Sequence, residues 1–370
     1  MQLRGSKQAA VAGGAVIAAL ALAACSSSSS SSTSSSTGAS TSPSASSSAA
    51  AASGTINAAG SSFQNTFQEA AIAAFKSTNS SVTVNYDSVG SGTGRSDLYS
   101  NTVLMAGSDS PIPSTETSKV PAGKTVLYFP VVLGPISLAY NLPGVSSLKL
   151  SATVLAQIFQ GDIKSWNDPA IKALNPGVTL PSTAITTAVR SDSSGTTQNF
   201  ALYLQNAAPS VWKLGNSSTI KWPSTAHAGA QNTGVASIIK STPGAIGYVD
   251  YTDAKSSNLD SALIENKAGK FVAPTPAGAS TDAADATIAS NLTFAAADAS
   301  SNAAAYPVSY QSWDLVYAQQ PNANDAAMLK AYLGYLLGPG QQLLSQLYYA
   351  PLPSSLDQKA VAQLSQITSS

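Results

Sequence analysis

Between residues 54 and 370 the chain switches repeatedly between two spacings of apolar residues. Phe63, Phe67, Ala70, Ala71, Ala74 and Phe75 recur at helical intervals. Val82–Tyr86 then reads as a strand, Val126–Leu133 as one or two more, and Ser137–Tyr140 as another. Ala152–Phe159 is helical, Ile185–Val189 is strand-like, and Phe200 and Leu204 begin a further helix. Ala245–Val249 reads as a buried strand. Ala326–Leu337 and Leu356–Ile367 read as helices, the latter capped by Ser354 or Ser355. Strands alternating with helices predict an α/β body with largely parallel sheets, long enough for two domains. No internal repeat is visible.

The N-terminus has a different character. Arg4 and Lys7 precede an apolar run of small residues, Ala9 to Ala24. That run is shorter than the ~20 residues a membrane-spanning helix needs, and reads as an export signal over residues 1–24. Leu22-Ala23-Ala24-Cys25 resembles the lipobox of bacterial lipoproteins, in which the cysteine is acylated, with palmitate among the expected chains. Cys25 is the only cysteine of the chain, so it has no disulfide partner. Ser26–Ser53 is low-complexity serine, threonine and alanine, and residues 25–53 read as a lipidated, disordered tether. Such a segment spans roughly 30 Å on average. The expected location is the outer face of the cell membrane, held by lipid.

Charge narrows the choice of partners. Eighteen basic and eighteen acidic residues give a formal net charge of zero, and no basic run exists, which argues against nucleic acid.

Three polar loops share one physical theme. Ala59-Gly-Ser-Ser-Phe63 stands at the start of the first helix. Tyr86-Asp-Ser-Val-Gly-Ser-Gly-Thr-Gly-Arg-Ser-Asp97 follows a strand and precedes a short helix. Arg190-Ser-Asp-Ser-Ser-Gly-Thr196 lies again between strand and helix. Helix N-termini carry unpaired N–H groups and partial positive charge. Glycine admits an anion close to the backbone, and serine or threonine adds a hydroxyl donor. Each loop alone also fits ordinary capping and turn chemistry. Nucleotide-loop patterns fail at Gly90–Gly94: Val89 stands where a Walker loop has its first glycine, Arg95 replaces its lysine, and a dinucleotide fingerprint would need its third glycine one residue later. Asp109, in Gly107-Ser-Asp-Ser-Pro-Ile112, follows an apolar stretch. It reads either as a turn aspartate before Pro111 or as a partly buried carboxylate that accepts a proton-bearing ligand.

Together these loops resemble the phosphate-binding protein of the bacterial high-affinity phosphate ABC transporter, from about Gly54 to the C-terminus. The motifs stand in family order: Ala59–Phe63, Val89–Gly92, Gly107–Pro111 and Val189–Thr196. Further landmarks are Phe129–Gly134, Ile158–Asn167, Leu174–Gly177, Pro243–Val249 and Leu352-Pro353. The resemblance implies a type II periplasmic-binding-protein fold, with two mixed sheets flanked by helices and joined by a two-strand hinge. The implied lobes are 54–133 plus 308–370, and 134–307, with crossings near Leu133 and Tyr306–Ser309. Phosphate would contact Ser62, the Phe63 backbone N–H, Ser91, Asp109, Arg190, Ser194, Gly195 and Thr196, with Asp192 restraining Arg190. Ser62 stands where the family often has threonine and keeps the donor, and Val103-Leu-Met105 replaces a more typical acid–aromatic pair. The implied partners are inorganic phosphate, as hydrogen phosphate or dihydrogen phosphate, and the transmembrane permease subunits, with a monomeric state and no cofactor or metal.

The chemistry of the residues fits that assignment. Phosphate near neutrality carries a proton that sulfate lacks, so an ionised Asp109 accepts a hydrogen bond from the first and faces only lone pairs on the second. An unpaired buried acceptor costs ~1–3 kcal/mol, more when charged. Sulfate and molybdate are the rival ligands on this reading, and a receptor or adhesion role for the lipoprotein has no specific support. An enzyme would make Ser193, Ser194 or Thr196 a nucleophile. The only histidine, His227, lies in a small-residue loop with no partner motif, and no nucleophile-elbow pattern centres on these serines. Trp212, Trp222 and Trp313 read as core, and Lys240 as solvated surface.

Overall fold

The computed structural model describes residues 52–369, within one compact unit that spans 50–370. The export signal, Cys25 and most of the tether lie outside the described residues. The chain runs β1 (Gly54–Gly60), α1 (Asn65–Thr78), β2 (Val82–Ser88), α2 (Ser91–Tyr99) and β3 (Met105–Ser108), then β4 (Val126–Asn141). It continues through β5 (Lys149–Leu150), α3 (Ala152–Gln160), α4 (Pro169–Leu174), β6 (Thr186–Arg190) and α5 (Gly195–Ala207). Next come β7 (His227–Gly229), α6 (Gln231–Ser241), β8 (Ala245–Asp250), α7 (Tyr251–Ser256), β9 (Asp260–Ser261), β10 (Leu263–Glu265), β11 (Phe271–Val272) and α8 (Pro276–Ala283). The last part holds β12 (Ser309–Tyr317), β13 (Gln319–Gln320), α9 (Ala323–Leu337), α10 (Ser354–Gln363) and β14 (Thr368–Ser369).

The main strands follow the order β2-β1-β3-β12-β4-β8-β6-β7, with β9 also on β4. β2, β1 and β3 are parallel, as are β8, β6 and β7, while the long central pair β4 and β12 is antiparallel. The sheet is thus mixed rather than largely parallel. β4 links its two wings: it pairs β12 through Pro135 and β8 from Ile136 onward. The apolar pattern predicts one or two strands over Val126–Leu133 and a separate one over Ser137–Tyr140, but a single strand spans them all. Proline cannot donate to a ladder, and Pro135 falls where the partner changes. Every residue from Leu127 to Tyr140 is buried.

Helix starts follow local chemistry. Ser151 accepts from the Val154 N–H at α3, and Ser194 accepts from Thr197 at α5, which starts that helix five residues before the expected Phe200. α10 differs from expectation: Pro353 occupies its cap position with no side-chain hydrogen bond, so neither Ser354 nor Ser355 caps it. Trp212 and Trp313 are buried, and Trp222 packs partly buried against the core. The Phe63 ring stacks on Tyr310 at 4.0 Å, meets Tyr349 edge-on, and would touch any side chain at Gly134. Burying such a ring stabilises by ~1.5–3 kcal/mol, and here it ties the loop after β1 to the central strand.

At the end of β1, Gly60 has φ +147°, and a Cβ there would lie 2.1 Å from the Gly107 carbonyl oxygen of β3. Gly60→Ala is expected to lose at least ~2 kcal/mol of unfolding free energy in a urea titration. A loss too small to resolve would mean that β1 and β3 separate without cost.

Candidate oxyanion site

Two sets of parallel strands, β1–β3 in one wing and β6 in the other, running opposite to them, deliver the polar loops at their C-terminal ends. β1 ends before Ser61 and Ser62, β2 before Ser91, β3 before Asp109, and β6 at Arg190. In open α/β sheets this is the edge at which ligands bind. α2 and α5 begin in two of these loops, so their first-turn N–H groups, including those of Gly195 and Thr196, have no intrahelical acceptors.

Asp109 sits at the centre, 1% exposed. Its Oδ1 accepts the hydroxyls of Ser61 and, at 2.5 Å, Ser312; its Oδ2 accepts Ser91 at 3.2 Å. Its carbonyl oxygen accepts Asn199 Nδ2 at 2.7 Å and Gln311 Nε2 at 3.2 Å. Burial pushes the carboxyl above its usual range, while the hydroxyls of Ser312, Ser61 and Ser91 and the charge of Arg190 hold it down in part. Gly195 closes on the same carboxylate: a Cβ at that position would stand 2.6 Å from Asp109 Cβ and from Ser91 Oγ. Gly92 N–H donates to the Ser193 carbonyl at 3.0 Å, so the loops at α2 and α5 touch.

Arg190 is buried and forked onto Asp192, with Nε on Oδ1 at 2.8 Å and Nη2 on Oδ2. Burial alone would raise the Asp192 carboxyl, but the hydrogen bonds and charge of Arg190, with the Gln231 N–H, outweigh it and hold the group below its usual range. The cation therefore arrives largely neutralised. Arg190 Nη1 also lies 3.5 Å from Thr196 Oγ1. Ser62 Oγ accepts Asn232 Nδ2 at 3.2 Å, which leaves the Ser62 proton free to point elsewhere. The Phe63 N–H, expected to face a ligand, donates instead to Ser61 Oγ at 3.0 Å in this structure.

Thus Ser91, Asp109, Arg190, Gly195 and Thr196 share one cluster, with Ser62 and Phe63 on its β1 side and Ser194 as the buried cap of α5. No role for Ser61, Arg95, Asn199, Asn232, Gln311 or Ser312 is legible in the local sequence. Arg95, fully buried, forks onto Glu116 at 2.8 and 3.1 Å and donates to Ser108 and Ser110 on either side of Asp109. The alternation Ser-Asp-Ser along an extended chain was the available signal, since it puts the serines on one face and the aspartate on the other. His227 is exposed on β7, not in a loop, and pairs with Ala188. Among the described residues no group of three or more His, Cys, Asp or Glu could hold a metal ion, and no helix is long and apolar enough to cross a membrane.

A family model described as the PBP superfamily domain matches residues 45–339. The phosphate-binding protein PstS 2 of Mycobacterium tuberculosis is 33% identical over 327 residues, covering 85% of this chain and 87% of its own. The phosphate-binding protein PstS of Pasteurella multocida is 37% identical over 292 residues, 76% of this chain and 81% of its own. Among solved structures, the phosphate-binding protein of Stenotrophomonas maltophilia superposes with a TM-score of 0.68 at 19% identity, covering 84% of this chain and 94% of its own. That likeness carries the fold: α/β, with a mixed sheet of the type II binding-protein kind. The chain belongs to the PBP superfamily and, within it, to the family of the phosphate-binding proteins PstS.

Behind the site, Asp314 is fully buried and accepts Gln68 Nε2 at 3.0 and 3.3 Å. Burial raises its carboxyl to about 7, against the partial pull of Gln68 and Gln64. A carboxyl raised on folding binds more protons in the folded state, so stability falls as pH climbs from the unfolded value, ~4, towards the folded one. Asp282, also raised to about 7 by burial, contributes with the same sign. Asp314→Asn is expected to flatten the pH dependence of unfolding free energy across this window by on the order of 2–4 kcal/mol. An unchanged slope in denaturant titrations would place Asp314 ionised throughout.

Proposed function

We propose that the protein captures inorganic phosphate, as hydrogen phosphate or dihydrogen phosphate, outside the cytoplasm and delivers it to the permease subunits of a phosphate ABC transporter. It binds the anion and does no chemistry on it. Ser62, Phe63, Ser91, Asp109, Arg190, Ser194, Gly195 and Thr196 are the contacts, with Asp192 restraining Arg190. The ligand lies between a lobe of residues 54–133 plus 308–370 and a lobe of 134–307, and the protein acts as a monomer held at the membrane by lipid on Cys25.

One observation carries the reading: a carboxylate stands at the centre of a cluster otherwise made of hydroxyl and N–H donors. An anion site without a proton-bearing ligand has no use for Asp109, because two acceptors facing one another cannot hydrogen-bond and like charges repel. Among the described residues the one cation at the centre, Arg190, is offset by Asp192, so dipoles and hydroxyls supply most of the attraction. This arrangement suits a ligand whose charge varies with pH.

Titration calorimetry checks the central role. Asp109→Asn is expected to weaken phosphate binding and to lower the preference for phosphate over sulfate by at least ~10-fold; an unchanged preference contradicts it. The anchor is checked separately, by labelled palmitate fed to cells expressing the protein. Label is expected in the unmodified chain and not in Cys25→Ser, which should leave the membrane fraction. Equal labelling of the two contradicts the anchor.

A further inference from the structure

Ser312 belongs to no loop motif, yet its hydroxyl meets Asp109. β12 runs against β3 in a register that pairs Trp313 with Ser108 and Asp314 with Gly107, which sets Ser312 opposite Asp109. The register of β12 on β4 shifts at this point, with Ser312 on Val132 and Trp313 on Pro130. The extra residue, Val131, lies on β4, so β12 keeps its regular alternation and Ser312 faces Asp109 by register alone.

Behind Ser312 runs a chain of hydrogen bonds with one direction. Tyr332 O–H donates to Gln68 Oε1 at 2.6 Å, Gln68 Nε2 donates to Gln64 Oε1 at 2.9 Å, and Gln64 Nε2 donates to Ser312 Oγ at 2.6 Å. All four residues are fully buried. The direction is fixed by groups that accept. Gln64 Nε2 also donates to the Trp313 carbonyl at 2.9 Å, and turning that amide would set oxygen against oxygen. That orientation leaves Gln64 Oε1 facing Gln68, so Gln68 Nε2 must be the donor between them. Because the Ser312 oxygen already receives an N–H, its own proton goes to Asp109 Oδ1. Successive donors polarise one another, so the last bond is strengthened by those before it.

The other charged and titratable groups around Asp109 are Arg190 at the end of β6, Tyr86 on β2 and Tyr310 on β12. Arg190 is engaged by Asp192, and the Tyr86 hydroxyl donates to the Ser61 carbonyl at 2.7 Å. Ser61 and Ser312 both end on Oδ1, which leaves Oδ2, touched only by Ser91, as the oxygen turned to a ligand.

We propose that Ser312, at the end of the Tyr332–Gln68–Gln64 chain, is a specificity-determining positioning residue that keeps Asp109 an acceptor, so that the ligand must bring the proton. The inference rests on the phosphate reading above. A hydrogen bond to an ionised group is among the stronger ones, and its loss lets the Asp109 carboxyl take up a proton and become a donor. A donor at that position no longer rejects an unprotonated oxyanion.

The test is titration of the full chain with inorganic phosphate and with sulfate, at a pH on either side of neutrality. Ser312→Ala is expected to lower the phosphate-to-sulfate affinity ratio by roughly 10-fold, most strongly at the lower pH. Ser312→Thr, which keeps the hydroxyl, should restore the ratio. An alanine protein with the unmodified ratio at both pH values, or a threonine protein that behaves like alanine, overturns the proposal. Ser312→Cys, close in volume and a weak donor, takes the place of alanine if that protein does not fold, with the same ratio expected to fall. Absence of phosphate binding by the unmodified protein overturns the functional reading itself, whereas retained binding with an unaltered ratio overturns only the role of Ser312.

Discussion

The buried carboxylate of Asp109 is the constraint around which the site is arranged. A charge removed from water must be compensated locally, and here the compensation comes from hydroxyl groups rather than from a paired cation. Ser61, Ser91 and Ser312 arrive from three different elements, and each must sit within hydrogen-bond reach of the same two oxygens. That requirement explains the close-packed glycines around it. Gly195 lets α5 approach Asp109, and Gly60 lets β1 and β3 come together behind it.

The fold supplies this convergence cheaply because parallel strands end on one edge. β1, β2 and β3 bring three loops to a common point, and β6 brings Arg190 from the other wing. The antiparallel pair β4 and β12 then serves both wings, since β4 changes partners between Pro135 and Ile136. β12 does more than connect: its register on β3 places the Ser312 hydroxyl on the central carboxylate. Arg95 fixes the same loop from the opposite face by holding Ser108 and Ser110, its own charge matched by Glu116. Burial would raise the Glu116 carboxyl, and Arg95 reverses this.

Much of this was legible in the chain, for identifiable reasons. Helices and strands with a clean apolar period, such as α1, α3 and β8, are local in origin, and so are the serine- and glycine-rich loops at helix starts. The boundaries that differed were settled by longer-range causes. β4 runs through Gly134-Pro135 because its partners change there, and α5 begins at Gly195 because Ser194 is held by the Ser218 carbonyl and caps it. The unseen site residues have the same explanation. Ser312 lies 203 residues from Asp109, and Asn232 lies 170 from Ser62. A lone serine or asparagine in a strand or helix carries no local mark of such a contact. Arg95 was visible only as a residue that spoils a nucleotide-loop pattern, although its buried fork onto Glu116 makes it part of the site's support.

The claim on which the rest depends is that the ligand's proton is recognised. Competition between phosphate and sulfate for the unmodified protein, followed by calorimetry on both sides of neutrality, tests it most directly. The account expects tight phosphate binding at each pH, since both ionic forms carry a proton, and little displacement by a large excess of sulfate. Sulfate binding comparable to phosphate, or no phosphate binding below millimolar concentration, would contradict it.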